Sequence, residues 1–302
     1  MNSSHPGLFM HRTKLAILAS TALCLGFDFA VAADMPVKAP PRVYVADPWV
    51  GPYVGGNIGY SWGRTDADMG VGSFAQGGQQ SQFTFPGGSS TTSLSPNGIV
   101  GGFQAGYILR IAAQWLAGME ADFQWTGQKG SGLGHFSAFT TDCSSGDCTY
   151  RNTTDITGKL SWFGTVRGTF GYEVNGVWFY GTFGLAYGRV TVSGANNTVL
   201  IDNPNTVVGN YTTPFSFSKT KVGLAGGAGI AGVIGTTGVI WKLEYLRVDL
   251  GSIGSASFNG VPPVAVNIGH FTDDIVRFGI NIPLTPLLYP TQSYTTPLYA
   301  TR

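Results

Sequence analysis

The chain has 302 residues, and only 11% of them are Asp, Glu, Lys or Arg, with a formal net charge of +1. A typical soluble domain is about 25% charged, and the near-neutral net charge gives no indication of a nucleic-acid-binding surface. The 45 glycines and 13% aromatic residues are typical of an all-β protein that presents apolar surface to lipid.

The N-terminus has the features of an export signal. Positive residues lie within 11–14, and an apolar segment follows over 15–27. This segment is too short to span a bilayer as a helix. Ala30-Val31-Ala32 supplies an A-x-A cleavage site, so the sequence predicts a signal peptide over 1–32. A Pro-rich leader over 33–48 precedes the domain.

Eight later segments alternate between apolar and polar residues, which indicates β-strands with two different faces. The clearest is Trp115–Trp125, where a tryptophan lies at each end of the apolar face. Ten steps of about 3.3 Å, tilted by roughly 40°, cover about 25 Å, the height of the apolar band of an outer-membrane barrel. The eight segments are 49–63, 98–110, 115–125, 159–172, 177–189, 221–233, 240–250 and 276–284.

The connections between these strands alternate in length. Long polar segments, predicted to be loops, follow the odd strands, whereas short turns such as Asn175-Gly176 follow the even ones. This alternation places every long loop on one rim and both termini on the other, as in bacterial outer-membrane barrels. The TVLI and TVV runs of the third loop could form a further hairpin, which leaves ten strands as an alternative. The loops are 65–96, 126–157, 193–217 and 250–270.

The sequence therefore predicts an eight-stranded antiparallel up-and-down transmembrane β-barrel over 49–284, with long extracellular loops and short periplasmic turns. An even strand number lets the sheet close without edges, which lipid requires. Residues 285–302 contain three prolines and are interpreted as a periplasmic tail. The alternative is a soluble exported barrel of the lipocalin type, with its apolar faces turned inward.

Several of these segments resemble the small OmpA-like outer-membrane porins of α-proteobacteria, a group of surface-antigen and haemin-binding barrels. The resemblance covers most of 33–284. It implies an outer-membrane location in a Gram-negative bacterium, with lipid and lipopolysaccharide around the barrel and assembly by the barrel-assembly machinery. One departure is that family barrels usually end their last strand on an aromatic residue, whereas Leu284 stands here. The matching segments are AADMPVKAPP, YVGGNIGYSWG, GGFQAGY, MEADFQWTGQKG, KLSWFGTVRGTFGY, FGLAYGRV, LEYLRVDLGS and DDIVRFGIN.

If the apolar faces meet lipid, the polar faces line the lumen. An eight-stranded barrel is narrow enough for side chains to fill it, and buried charges must pair because an unpaired one costs several kcal/mol. We therefore expect a salt-bridge network that plugs the lumen, and a solute-conducting lumen is the alternative. The expected members are Glu120, Asp122, Arg167, Lys242, Glu244 and Arg277.

Aromatic residues near the ends of the strands are expected to form girdles at the two membrane–water interfaces. These residues are Trp62, Trp115, Trp125, Trp162, Tyr172 and Trp241. Removal of the signal peptide leaves Cys143 and Cys148. Because exported compartments are oxidising, we expect these two cysteines to form a disulfide that closes a small loop, and we expect no metal site.

No catalytic signature is present in the sequence: it lacks G-x-S-x-G, H-E-x-x-H and a Gly-Lys phosphate loop. Glu120 and Asp122 could share a proton, but the arginines in the lumen favour structural ion pairs. We therefore expect no enzymatic activity and no cofactor. Haemin binding through His135 or His270 is implied by the family resemblance alone.

The leading hypothesis is a structural and surface-interaction role in the cell envelope, in which the loops face host or phage ligands. The alternatives are a small porin that conducts hydrophilic solutes and a haemin-binding surface barrel.

Overall fold

The computed structural model describes residues 47–284 except 79–80, 144–145, 203–205 and 236. The predicted signal peptide, nearly all of the leader and the tail therefore lie outside the described residues. Among the described residues, no helix is sufficiently long and apolar to cross a membrane. Twelve strands are present in this part of the chain: β1 (Gly51–Val71), β2 (Phe74–Gly78), β3 (Ser81–Phe85), β4 (Gly88–Leu94), β5 (Asn97–Arg110), β6 (Trp115–Thr126), β7 (Gly130–Cys143), β8 (Gly146–Val174), β9 (Val177–Asp202), β10 (Thr206–Val233), β11 (Ile240–Phe258) and β12 (Val264–Pro283).

The main sheet is antiparallel and closes on itself. Neighbouring strands follow the order β1, β5, β6, β8, β9, β10, β11 and β12, which we call the strand circuit. β12 then pairs with β1, from Tyr53 opposite Pro283 to Val71 opposite Val264. β4 and β7 pair with β1 and β8, respectively, beside the circuit, and β2 with β3 forms a separate hairpin. The architecture is thus an all-β antiparallel barrel.

Short connections join the strands at one end of the barrel. Asn175 and Gly176 connect β8 to β9 with φ angles of 50° and 79°. Positive φ at both central residues is what a two-residue turn of type I′ requires, and Asn-Gly is the sequence that adopts it most readily. The first residues of β1 and the last of β12 lie at the same end as this turn.

The prediction that long loops connect the strands is wrong. Residues 65–96, 126–157, 193–217 and 250–270 consist largely of strand, because β1 and β8 to β12 continue well beyond the predicted segments. Both cysteines and His135 therefore lie in strands rather than loops. The TVLI and TVV runs extend β9 and β10, so they add no strand to the circuit.

The two faces of β1 exchange polarity along its length. In β1, the exposed residues change from Val54, Ile58 and Trp62 to Arg64, Asp66 and Asp68. On the buried face, Asn57 and Ser61 give way to Ala67, Met69 and Val71. A barrel in lipid is apolar outside and polar inside, and a sheet in water is the reverse. The boundary between lipid and water therefore lies between Trp62 and Arg64.

The exposed apolar residues define a continuous band around the circuit, which we call the apolar band. It comprises the parts of the strands whose outward side chains are mostly aliphatic or aromatic. These parts are 54–62, 99–109, 115–125, 162–174, 177–187, 222–230, 241–245 and 276–282.

Beyond the apolar band the circuit separates into two sheets. β10 pairs with β11 only from Leu224 to Val233, and β4 and β7 have no backbone pairing with each other among the described residues. The sheet of β11, β12, β1 and β4 faces the sheet of β7 to β10, and a shared apolar core lies between them. Members of this core include Ala67, Met69, Leu94, Ile156, Val190, Val192, Phe215, Leu250, Val264, Val266 and Ile268.

A β-bulge in β8 corrects the alternation predicted for that strand. The pairing of β8 with β9 shifts between Leu160 and Trp162, so the residues before the bulge reverse their faces. Leu160 is therefore fully buried, as Phe163 is, whereas strict alternation over 159–172 would place Leu160 on the outward face with Trp162. Lys159 consequently faces outward rather than into the barrel.

Candidate functional site

The six charged residues expected in the lumen lie together in the interior of the barrel. They are carried by β6, β8, β11 and β12, where alternation directs them away from the apolar band. Each is at most 5% exposed. Three carboxylates and three cations give the cluster no net charge, which is the condition under which buried charges are tolerated. We refer to Glu120, Asp122, Arg167, Lys242, Glu244 and Arg277 as the charge cluster.

Arg167 lies at the centre of the charge cluster. Its Nη2 atom donates to Glu120 Oε1 at 2.7 Å and to Asp122 Oδ2 at 3.1 Å. Its Nη1 atom donates to Glu244 Oε1 at 3.0 Å. Glu120 is the residue directly opposite Arg167 on β6, whereas Glu244 lies on β11, across the interior. One guanidinium thus contacts all three carboxylates.

Arg277 and Lys242 complete the charge cluster from the other side. Arg277 Nε donates to Glu244 Oε2 at 2.7 Å, and its Nη2 atom donates to Asp122 Oδ2 at 2.9 Å. Lys242 Nζ lies 2.7 Å and 2.6 Å from the two carboxylate oxygens of Glu120. Since β12 and β6 are not neighbours in the circuit, the bond from Arg277 to Asp122 spans the interior.

Hydroxyl groups supply the remaining hydrogen bonds to the charge cluster, and sequence reasoning did not identify their role. Tyr53 donates to Glu120 Oε2 at 2.7 Å, and Thr165 donates to Asp122 Oδ2 at 2.8 Å. Tyr180 donates to Glu244 Oε1 at 3.3 Å, while Arg167 donates to Thr182 at 3.1 Å. Alternation along β1 and β8 is sufficient to put Tyr53 and Thr165 on inward faces, but it does not reveal which inward residues meet across a barrel.

Apolar layers fill the interior on both sides of the charge cluster. Toward the short turns, the buried ring of Trp49 packs edge to face with Trp178, with centroids 5.9 Å apart. Ile108, Leu116 and Ile240 belong to the same buried group. On the other side lies the large apolar core between the two sheets. The charge cluster is therefore one layer of a filled interior.

A second buried acid lies between the charge cluster and the large apolar core. Both carboxylate oxygens of Asp273 accept from Gln128 Nε2, each at 2.8 Å, and Gln128 also contacts Ser61. No cation lies within ion-pair distance of Asp273 in the described part of the chain. Burial raises the pKa of Asp273 to about 7. The hydrogen bond from Gln128 lowers this pKa, whereas the negative charge of Asp274 raises it further. This acid lies outside the apolar band of β12.

The aromatic residues expected at the interfaces all point outward at the ends of the apolar band. Trp125 and Trp162 are directly opposite each other on β6 and β8, near the boundary that Trp62 marks on β1. Trp115 and Tyr172 are paired at the other end, with ring centroids 5.0 Å apart. Trp241 lies at that same end on β11.

An ion-pair group secures the entry to β1 at the end with the short turns. Arg110 Nη1 lies 2.7 Å from Glu173 Oε2, and the guanidinium also contacts Asp47. Burial opposes ionisation of Asp47, but hydrogen bonds from Arg110 and the Trp49 backbone outweigh it and lower its pKa. This group joins the segment before β1 to the ends of β5 and β8.

The expected disulfide and the histidines lie away from the charge cluster. Cys148 is disulfide-bonded, but the side chain of Cys143 lies outside the described residues, so the pairing stays a prediction. His270 Nε2 lies 2.8 Å from Asp249 Oδ1 at the surface. Burial opposes ionisation of Asp249, but hydrogen bonds from His270 and the Gly251 backbone outweigh this effect and lower the pKa of Asp249. Among the described residues, no group of three His, Cys, Asp or Glu is placed to hold a metal ion.

Comparison with protein families and sequences identifies related proteins. A family model described as "Outer membrane protein beta-barrel domain" matches residues 20–269. The 31 kDa outer-membrane immunogenic protein of Brucella melitensis biotype 1 is 31% identical over 243 residues, which are 79% of this chain and 88% of that protein. The 22 kDa outer membrane protein of Rhizobium leguminosarum bv. viciae is 32% identical over 119 residues, which are 38% of this chain and 47% of that protein.

The solved structures that match this chain are distant in sequence and have low TM-scores. The attachment invasion locus protein Ail of Yersinia pestis has 14% identity and a TM-score of 0.29, covering 77% of this chain and 99% of that one. The outer membrane protein OprG of Pseudomonas aeruginosa has 12% identity and a TM-score of 0.31. The match covers 78% of this chain and 97% of OprG.

Proposed function

Because the chain belongs to the outer membrane protein β-barrel family and is located in the outer membrane of Gram-negative bacteria, we propose that the strand circuit is an eight-stranded transmembrane barrel with a closed lumen. Its role is structural and surface-interacting rather than conducting. Lipid contacts the apolar band, and the short turns lie in the periplasm. The parts of β1 and β8 to β12 beyond the apolar band, together with β4 and β7, lie outside the cell, and we call them the extended hairpins. Folding in the membrane depends on the barrel-assembly machinery.

The charge cluster is the observation that carries this proposal. Arg167 and Arg277 each hold carboxylates from strands on different sides of the interior, at 2.6–3.1 Å. An interior of this width is filled by side chains. Removing one partner of a buried pair typically costs 3–5 kcal/mol, so thermal motion seldom opens such a plug. The apolar layers on either side add to the closure.

Conductance in planar bilayers tests the closed lumen. The wild-type protein, shown to be folded by its heat-modifiable migration on gels, should give no steady conductance. The double variant Arg167→Ala/Glu244→Ala removes one cation and one anion, so the interior stays neutral but acquires space. Because the apolar layers on both sides remain in place, its conductance should stay far below that of an open porin. A large steady conductance of the wild type would contradict the plug and favour a small porin.

The extended hairpins support the surface-interaction part of the proposal. β8 continues for 16 residues before Trp162, which is roughly 50 Å along the strand. The Brucella relatives are named outer-membrane immunogenic proteins, and we propose that this chain likewise presents its hairpins to host or phage ligands. The carboxylate groups of Glu120 and Asp122 each form ion pairs with cations of the charge cluster. We therefore assign these two residues no catalytic role.

A further inference from the structure

Three cations form a patch on the outward face where β6, β7, β8 and β9 leave the apolar band. Lys159 and Arg189 are outward residues of β8 and β9, opposite Thr191 and Trp162, respectively. Lys129 immediately precedes Gly130, which is opposite Gly158 beside Lys159. Lys129 and Arg189 are exposed, and Lys159 is partly buried. We call Lys129, Lys159 and Arg189 the cationic patch.

The cationic patch has no acidic counterpart. Within the part of the chain that the structure describes, no carboxylate lies within ion-pair distance of any of the three. Its immediate neighbours are hydroxyl groups: Thr191 Oγ1 lies 2.9 Å from Ser218 Oγ and 3.5 Å from Ser161 Oγ. Cations and hydroxyls together are the groups that bind phosphate oxygens.

The far side of the strand circuit differs at the same level. There Arg247 Nη1 lies 3.2 Å from Asp274 Oδ1, and Asp66 follows Arg64 on the outward face of β1. Arg247 therefore has an ion pair and Arg64 has an acid two residues away on its own face, whereas the nearest outward acid on β8, Asp155, is four residues from Lys159.

The wall that carries the cationic patch also offers an apolar groove inside the membrane. The groove has a volume of about 510 Å³ and is lined by Gly168, Phe170, Gly181 and Phe183 among others. A side chain added at Gly168 or Gly181 would meet its nearest atom only at 3.9 Å, so these glycines leave open space between the two phenylalanines. Trp162 and Tyr187, with centroids 6.1 Å apart, lie between the groove and the cationic patch.

The spacing of patch and groove matches one leaflet. Arg189 and Phe183 are six residues apart on β9, which is about 20 Å along the strand and about 15 Å in depth at a tilt near 40°. A leaflet is about half of the 30 Å hydrocarbon core. A lipid whose headgroup lies on the cationic patch therefore has acyl chains long enough to reach the groove.

We propose that this wall is a binding site for a phosphorylated lipid of the outer leaflet, with its phosphate groups on Lys129, Lys159 and Arg189 and an acyl chain between Phe170 and Phe183. The inference rests on the proposed membrane orientation, in which the cationic patch lies at the outer surface. It goes beyond general lipid contact, because it assigns the phosphate to one wall of the barrel.

Native mass spectrometry of the full-length protein in detergent tests the site, with bis-phosphorylated lipid A, its phosphate-free form and inorganic phosphate as probes. The triple variant Lys129→Gln/Lys159→Gln/Arg189→Gln should bind bis-phosphorylated lipid A on the order of 100-fold more weakly than wild type, at about five-fold per cation. Arg151→Gln is the matched control, since Arg151 is an exposed cation on the same face of β8 but eight residues farther out. It should bind as wild type does.

Three results would overturn the site: equal binding by the triple variant, equal binding of the phosphate-free lipid, or full displacement of the lipid by millimolar inorganic phosphate. Single variants such as Arg189→Gln provide the comparison if the triple variant fails to show heat-modifiable migration. Failure of the wild-type protein to insert into bilayers would instead contradict the proposed barrel, so the two failures are distinguishable.

Discussion

Two kinds of buried acid occupy the interior of the barrel, and their surroundings give them opposite properties. Asp122 accepts from two arginines at 2.9 Å and 3.1 Å, so its charge is compensated. Among the described residues, Asp273 accepts hydrogen bonds from the neutral amide of Gln128 and from no cation. A buried carboxylate without a cation favours its protonated form, which is why the pKa of Asp273 lies at about 7.

Asp273 should make stability depend on pH. Below about pH 4 the carboxyl is protonated in both states. Between pH 4 and 7 only the folded state keeps the proton, so stability falls as pH rises. Asp273→Asn cannot ionise, and above pH 7 it should be more stable than wild type by on the order of 2–4 kcal/mol. Urea unfolding from liposomes measures the difference.

Asp249→Asn provides a control of opposite sign for this experiment. The pKa of Asp249 is lowered in the folded protein, so its stabilising effect is present at neutral pH and is lost as pH falls through the folded pKa. The variant should therefore be slightly less stable than wild type at pH 7. Equal pH profiles of wild type and Asp273→Asn would contradict the assignment of a raised pKa.

At the scale of the strand, a single element lies partly in lipid and partly in water. β9 runs from Val177 to Asp202 without interruption. Its outward residues are apolar up to Tyr187 and polar or small from Arg189 to Asn197. The period of two continues throughout, but the meaning of each face changes where the strand leaves lipid. Continuous pairing with β8 and β10 therefore bridges the membrane surface.

An outward arginine should be costly on one part of β9 and harmless on another. Phe183 is 64% exposed within the apolar band, and an arginine near the bilayer midplane costs about 2–4 kcal/mol. Ala195 lies on the same face beyond the band, opposite the exposed Asp155, so Ala195→Arg should cost less than about 0.5 kcal/mol. Urea unfolding of Phe183→Arg and Ala195→Arg in liposomes compares them, and equal effects would refute the boundary near Tyr187.

At the scale of the whole molecule, the closed circuit determines both the interior and the exterior. Pairing of β12 with β1 removes the sheet edges within the apolar band, where lipid cannot satisfy backbone groups. Outside the band, water can satisfy unpaired groups. The two sheets there are accordingly free to separate, and they are held together by the apolar core between them.

Cysteine labelling of intact cells tests the orientation of the molecule. Ser137 lies on the outward face of β7, and Thr237 lies in the short connection between β10 and β11, and both are exposed. A membrane-impermeant maleimide should label Ser137→Cys but not Thr237→Cys, with the wild-type protein as the background control. Labelling of Thr237→Cys alone would reverse the proposed orientation.

Sequence alone determined the fold class and the direction of most side chains in the apolar band. Alternation over Trp115–Trp125 and its seven companions needs no tertiary information, because a strand in lipid must have one apolar face. The same alternation placed all six members of the charge cluster on inward faces. The Asn175-Gly176 pair also identified the turn between β8 and β9, since Asn-Gly favours the required positive φ angles.

Only the tertiary structure decided which inward residues meet and where the strands end. Arg277 contacts Asp122 because the circuit closes, and local patterns contain no information about contacts across an interior. The extended hairpins escaped prediction because Ser- and Thr-rich strands in water lack the apolar outward face that marks a strand in lipid. The bulge before Trp162 likewise depends on pairing with β9, and it places Leu160 in the core and Lys159 at the surface.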